Sequence, residues 1–255
     1  MFNNGIRYIC YMKKSLYLLA ICFIAISSCK KDDEQADEEL PTVRLEVKNQ
    51  IDGQPISIGV LNYTNPAGET YSVDLLRYYF SYATLIDESN NEVKLNDHTL
   101  IDAFIPADNI ISNTVAKGHY TKLRFYIGVD EVHNHTGAQE GDLDPIYGML
   151  WTWDTGYVFF KHEGQFVDAD GNTSGMSYHY AKDNAYKMVE IPIDLHIESG
   201  SKNMDVLFNL NDLYRSPYVI QFDGNNYHQS ISVNDAEWLQ QMFANFGTAF
   251  SVSIP

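Results

Sequence analysis

The stretch that decides the fold runs from Tyr126 to Gly164 and reads YIGVDEVHNHTGAQEGDLDPIYGMLWTWDTGYVFFKHEG. It holds three of the eight histidines and two of the three tryptophans, so most candidate binding chemistry lies within it. Leading into it, Leu123, Phe125 and Ile127 share one parity, which is the period-two pattern of a half-buried β-strand. The sequence therefore predicts a histidine-rich loop that begins at the end of a core strand.

Strands of the same kind recur on both sides of this stretch. Apolar residues alternate with polar ones in three further segments, Val43–Val47, Val189–Ile197 and Val206–Leu210. The aromatic segment Val73–Ile86 is followed by a polar turn at 87–92 and a return strand, which predicts a β-hairpin. We therefore expect an all-β fold, an antiparallel β-sandwich with long loops.

One short C-terminal helix completes the expected architecture. Asn234 is the predicted N-cap and Glu237 its capping-box partner, because a short polar acceptor three residues before a glutamate typically starts a helix. Trp238 and Met242 then follow at helical spacing, and Gly247 marks the stop.

The first 28 residues are typical of a secretory signal peptide. Basic residues precede an apolar run at 16–26 that is too short to span a bilayer as a mature helix. The run ends Ile26-Ser27-Ser28-Cys29, which resembles a bacterial lipobox with Cys29 as the lipidated residue; the alternative is a soluble secreted protein. The charged segment 29–41 predicts a disordered tether, followed by a single domain over 42–255.

The residues after Cys29 also bear on location. Lys30 stands where lipoproteins retained at the inner membrane usually carry aspartate, so we expect a lipid anchor in the outer membrane. The lysine-then-acid run is similar to the export signal of surface-displayed lipoproteins.

Composition excludes several classes of function. The formal net charge is −17, and a field of that sign repels phosphates, so no nucleic-acid partner is expected. Cys10, Cys22 and Cys29 belong to the signal or the anchor, which leaves no thiol in the domain for a disulfide, a catalytic nucleophile or a thiolate metal site. No Gly-x-Ser-x-Gly or His-Glu-x-x-His motif occurs. We expect a binding protein and not an enzyme.

Histidines supply the candidate metal ligands. His133 and His135 are two residues apart, so in an extended segment both rings would lie on one side, with their Cα atoms about 7 Å apart. His179 offers a third imidazole, and Met176 is a soft donor that favours Cu(I). We treat the other histidines as structural or exposed: His98, His119, His162, His196 and His228.

Two interpretations remain open for the tryptophans. Met149, Trp151 and Trp153 share one parity and would form one aromatic face of a strand. Such a face is more often part of a sandwich core, which we favour. If exposed, Trp151 and Trp153 would suit stacking on sugar rings, and the protein would be a surface lipoprotein that binds glycan or protein without a metal.

Several short motifs follow one another in this order: Gly118-x-Tyr120, Asn134-His135, Leu143-Asp144-Pro145, Gly148-Met149-x-Trp151-x-Trp153-x-x-Gly156-Tyr157 and the later His179. This order of motifs resembles the MbnP-like family of envelope copper-binding proteins. The resemblance extends over most of 43–254. It implies a secreted domain that binds copper through histidines, with Asn134-His135 and His179 matching positions of the family.

In some members the resemblance also implies a tryptophan oxidised to kynurenine by a partner di-haem peroxidase-like protein. The arrangement associated with that modification places the tryptophan two residues before a histidine. None of Trp151, Trp153 and Trp238 stands there, since Ser177 and Tyr178 precede His179. This departure argues against the kynurenine and against the oxidising partner in this chain.

Overall fold

The computed structural model describes residues 39–152, 155–230 and 232–255. The predicted signal peptide, the predicted lipidation site Cys29, nearly all of the predicted tether and Trp153 lie outside the described residues. Within the described ranges, no helix combines the length and apolar character needed to cross a bilayer.

The described residues form sixteen strands. They are β1 (Thr42–Ile51), β2 (Gln54–Pro55), β3 (Tyr63–Thr64), β4 (Thr70–Tyr71), β5 (Leu75–Asp87), β6 (Glu92–Lys94), β7 (His98–Asp102), β8 (Ile110–Thr114), β9 (Gly118–Ile127), β10 (Leu150–Thr152), β11 (Gly156–Val167), β12 (Thr173–Ala181), β13 (Lys187–Ile197), β14 (Ser201–Asn209), β15 (Tyr227–His228) and β16 (Phe250–Ser253).

The helical segments are short. The α-helices are α1 (Glu131–His135), α2 (Leu210–Leu213) and α3 (Ala236–Asn245). Single 3-10 turns lie at Pro106–Asp108, Gly141–Leu143, Pro145–Tyr147, Asp183–Ala185 and Val233–Asp235.

The strands form two sheets, and the predicted all-β, sandwich-like fold is confirmed. The larger sheet follows the order β13-β9-β5-β11-β12-β15, with short strands added to β5 and β11. The smaller sheet follows the order β16-β14-β1-β2, with β8 on β1. Pairing is mostly antiparallel as expected, but β1 pairs with β14, and β12 with β15, in parallel.

Aromatic rings from both sheets form the core. Tyr78 of β5 lies 5.1 Å from Phe208 of β14, and Phe125 of β9 lies 5.0 Å from Phe250 of β16, measured between ring centroids. All four side chains are buried. Full burial of a large apolar side chain contributes about 1.5–3 kcal/mol, so contacts of this kind hold the two sheets together.

The C-terminal helix is present, but its predicted start is wrong. Ser232 is the N-cap, because its hydroxyl accepts the Asn234 N–H and the Asp235 carboxylate accepts the Ser232 N–H. This capping box begins a 3-10 turn that continues into α3. Asn234 therefore lies inside the first turn, and Glu237 follows one residue after α3 begins.

His162 lies in the core and contacts the hydroxyl of a tyrosine. Its ring is fully buried, and Nδ1 lies 2.6 Å from the Tyr214 hydroxyl. Nε2 has no hydrogen-bond partner in the described part of the chain. Burial disfavours the imidazolium and lowers the pKa of His162 from 6.5 to about 3.

Acidification is expected to destabilise the fold through this side chain. Between pH 6.5 and about 3 the unfolded chain binds a proton at His162 that the folded chain does not. Stability from this group is therefore complete above pH 6.5 and is lost as pH falls through that window, by about 2 kcal/mol at pH 5. In His162→Gln, the free energy of unfolding measured in urea should fall less between pH 6.5 and 5 than it does in the wild type. Parallel pH profiles for the variant and the wild type would contradict this.

Candidate metal site

The candidate site begins where β9 leaves the sheet. Gly128 follows β9 with a φ of +117°, and a Cβ there would lie 2.4 Å from the Phe159 ring, so the position requires glycine. The Ser81 hydroxyl donates to the Gly128 carbonyl at 2.6 Å, and the Gly128 N–H donates to the Tyr79 carbonyl at 3.0 Å. These contacts fix the direction of the chain just before Asp130.

Asp130 is the N-cap of α1 and the centre of the site. Its Oδ1 accepts the backbone N–H of His133 at 3.3 Å. Its Oδ2 faces His133 Nδ1 at 2.7 Å, the Tyr82 hydroxyl at 2.8 Å and His98 Nε2 at 3.1 Å. The two imidazole rings meet edge to face, with centroids 4.7 Å apart. One carboxylate oxygen therefore contacts two imidazoles and a phenol.

Three separate elements bring these groups together. His98 is the first residue of β7 and pairs with Ser81 of β5. Tyr82 follows with a φ of +52°, where the register between β5 and β9 shifts. This irregularity places the Tyr82 hydroxyl against Asp130 at the same end of the sheet.

The charges at the site favour a neutral imidazole beside an ionised carboxylate. Burial lowers the pKa of His98, assisted by His133 and opposed by Asp130. For Asp130, burial alone would raise the pKa, but hydrogen bonds from Tyr82 and from His133 outweigh it and lower the pKa. Burial, with the neighbouring Asp130, raises the pKa of Tyr82. At neutral pH His98 is therefore uncharged, and its Nε2 can bind a metal once the proton that it shares with Asp130 is displaced.

The donor set suits a transition metal. Ligand atoms of His98, Asp130 and His133 all lie within 4.8 Å of one another. Imidazole nitrogens bind copper, zinc and iron, and a carboxylate adds a negative, harder ligand that suits divalent ions. Binding would displace the protons now shared with Asp130, so affinity should rise with pH.

The predicted pairing of His133 with His135 is not formed. The segment is the short helix α1 and not an extended chain, so residues two apart point about 200° from one another around the axis. His133 faces Asp130, whereas His135 Nε2 faces Asp183 Oδ2 at 2.9 Å. The N-cap at Asp130 explains the difference, because it starts a helix two residues before the first histidine of the pair.

His179 and Met176 lie elsewhere on β12. His179 Nε2 faces Glu163 Oε1 at 2.8 Å and the Ser177 hydroxyl at 3.2 Å, and Nδ1 is buried without a partner among the described residues. Met176 is buried in the core. The described residues therefore give His133, His135 and His179 three different carboxylate partners and do not form the predicted group.

Trp151 is half-buried against the core. Its ring meets His179 edge to face, with centroids 5.6 Å apart. Met149, two residues earlier, is buried. This placement agrees with the core interpretation of Trp151, while Trp153 lies outside the described residues.

Comparison with known proteins bears on the predicted resemblance. A family model described as MbnP matches residues 41–235. The chain belongs to the MbnP family. Among solved structures, MbnP from Methylosinus trichosporium is similar, with a TM-score of 0.53 and 14% identity over 85% of this chain and 99% of that one. At this identity the likeness shows a shared fold. No curated protein matches in sequence.

The signature motifs of this MbnP domain meet at Asn134. Its Oδ1 accepts the Tyr157 N–H at 2.7 Å, and its Nδ2 donates to Asp183 Oδ1 at 2.8 Å. Asn134 is buried, and Gly156 beside it has a φ of +77°. The Asn134-His135 and Gly156-Tyr157 motifs therefore dock the loop that carries Asp130 and His133 onto β11.

Sequence reasoning missed His98, Asp130 and Tyr82 in this MbnP domain. A local signal existed for Asp130, because it stands three residues before His133. This is the spacing between an N-cap residue and the third residue of its helix. For His98 the sequence offers no comparable signal, because it reaches the site through the pairing of β7 with β5.

Proposed function

We propose that this MbnP domain binds copper at His98, Asp130 and His133, with Tyr82 orienting the carboxylate. The observation that carries the proposal is the convergence of two imidazole nitrogens on Asp130 Oδ2, at 2.7 Å and 3.1 Å. Membership of the MbnP family supports copper as the metal, because the copper-binding role implied by the sequence resemblance belongs to that family.

The donor set favours the oxidised ion. All three cysteines lie at or before Cys29, and the cluster formed by the described residues consists of two imidazoles and a carboxylate. Among divalent first-row metals, nitrogen and oxygen ligands bind Cu(II) most tightly. We therefore propose Cu(II) as the preferred state.

The setting we propose is the outer membrane, with the domain anchored through lipidated Cys29. The role that we propose for the domain is acquisition, sequestration or delivery of the metal, and not catalysis. A site partly open to solvent, in which the His133 side chain is 40% exposed, also allows exchange of the ion with a partner.

Two histidines of α1 provide a matched test. His133→Ala should lower the affinity for Cu(II) by about 100-fold or more, because it removes a ligand. His135→Ala removes a histidine of similar exposure from the same helix, and should leave the affinity unchanged. Competition titration of each purified variant against a Cu(II) chelator measures both, with thermal melting as the check on folding.

Two results would refute the assignment. One is equal loss of Cu(II) affinity in both variants. The other is wild-type affinity no tighter than that of a lone surface histidine.

A further inference from the structure

A second histidine pair lies near the other end of β9. His119 of β9 stands directly opposite His196 of β13 in the antiparallel register. The two rings stack with centroids 3.9 Å apart and planes 5° from parallel. Both histidines were treated as structural or exposed at the level of sequence, and neither contributes to the core.

Carboxylates complete this cluster. Asp194 Oδ1 lies 2.8 Å from His119 Nε2 and 3.2 Å from His196 Nε2, so both imidazoles direct the same nitrogen at one oxygen. On the other side of the His119 ring, Glu88 Oε1 lies 3.0 Å from Nδ1. Ligand atoms of His119, Asp194 and His196 all lie within 4.8 Å of one another.

The backbone explains why these side chains converge. Asp194 and His196 are two apart on β13 and therefore share its polar face. The register between β9 and β13 shifts between Pro192 and Leu195, which is the mark of a bulge. Bulges re-aim side chains, and this one accounts for the approach of Asp194 to a histidine on the neighbouring strand.

We propose that His119, Asp194 and His196 form a second cation site, for a divalent transition ion such as Zn²⁺ or Cu²⁺. His119 Nε2 and His196 Nε2 both face Asp194 Oδ1, and two imidazole nitrogens beside one carboxylate are a ligand set that a divalent transition ion takes. Glu88 faces the other nitrogen of His119, and carboxylates commonly hold metal-binding histidines in this way.

This site is independent of the His98–Asp130–His133 cluster. From His119 to Ile127 the chain follows β9 through eight residue steps, roughly 27 Å in a strand, and Asp130 lies beyond. Substitutions that far apart act additively. The exposure of His196 and Asp194 makes this the weaker site of the two.

Zn²⁺ titration of the full-length protein by calorimetry tests the proposal. Wild type should bind two equivalents, and His196→Ala should lose the weaker one while keeping the tighter. Glu190→Ala, which removes a carboxylate from the same face of β13, is the control and should keep both. His133→Ala should lose only the tighter equivalent. The two variants therefore test the two proposed sites separately.

The proposal is overturned if His196→Ala retains both equivalents. It is also overturned if wild type binds a single equivalent that His133→Ala abolishes. Because His196 is exposed, its replacement should leave the melting temperature of the metal-free protein unchanged, which separates loss of a ligand from loss of fold.

Discussion

Replacing Gly156 by alanine is expected to destabilise the domain by about 2–5 kcal/mol. A Cβ at this position would lie 2.2 Å from Asn134 Oδ1, and the φ of +77° is itself unfavourable for alanine. The left-handed backbone costs about 1–2 kcal/mol, and the steric conflict adds about 1–3 kcal/mol. For a domain of this size the melting temperature should fall by about 4–20 °C.

Gly171 provides the matched control for Gly156. It also has a positive φ, +85°, but a Cβ there would meet nothing within 4 Å. Gly171→Ala should therefore show only the backbone term, about 1–2 kcal/mol. Equal melting temperatures for the two variants, measured by calorimetry, would mean that Asn134 does not press against Gly156 and that the motif does not dock the loop.

Replacing Asp130 by asparagine is expected to lower the Cu(II) affinity by about 100-fold. Asparagine caps helices as well as aspartate does, so α1 should persist, but the negative ligand between the two imidazoles is lost. The amide oxygen can replace Oδ1 at the cap, and the amide NH2 group then faces the Tyr82 hydroxyl and the two imidazoles in place of Oδ2. The free energy of unfolding should therefore fall by about 1–3 kcal/mol. Chelator competition and urea unfolding measure the two effects.

Asp183→Asn is the control for Asp130→Asn. Asp183 holds His135 and Asn134 as Asp130 holds His133 and His98, but it faces only one imidazole. Its replacement should leave copper affinity at the wild-type value. A larger loss of affinity from Asp183→Asn than from Asp130→Asn would move the site to His135.

The fold was predictable because its strands carry their own pattern. Val43, Leu45 and Val47 are buried on β1 as the alternation predicts, and Leu123, Phe125 and Ile127 are buried on β9. Burial of one face of a strand fixes the period in the sequence, and that information is local. The parallel pairing of β1 with β14 could not be predicted, because it joins segments more than 150 residues apart.

The site was only partly predictable, for two physical reasons. The segment from Glu131 to His135 is too short for a helical pattern to show, and the conformation depends on the Asp130 cap. His98 arrives through strand pairing, which sets its position relative to Asp130 independently of the intervening 31 residues. His133 could be identified from its residue type alone, because few histidines occur in the sequence and imidazole is a common metal ligand. Its partners in the site depend on tertiary structure.

The family signature and the candidate site are linked by one structural role. Tyr157 donates its backbone N–H to Asn134 and its hydroxyl to the Leu143 carbonyl at 2.6 Å, so β11 holds both halves of the loop. The loop in turn positions Asp130 and His133 beside β5 and β7. The motif that identifies the family therefore holds the loop that carries Asp130 and His133.

The most direct test of copper binding at this cluster is an anomalous difference map from crystals of the Cu(II)-loaded protein, recorded at the copper absorption edge. We predict the strongest peak between His98 Nε2, His133 Nδ1 and the Asp130 carboxylate. A strongest peak beside His135 or His179, or no peak near Asp130 at full copper loading, would contradict the assignment.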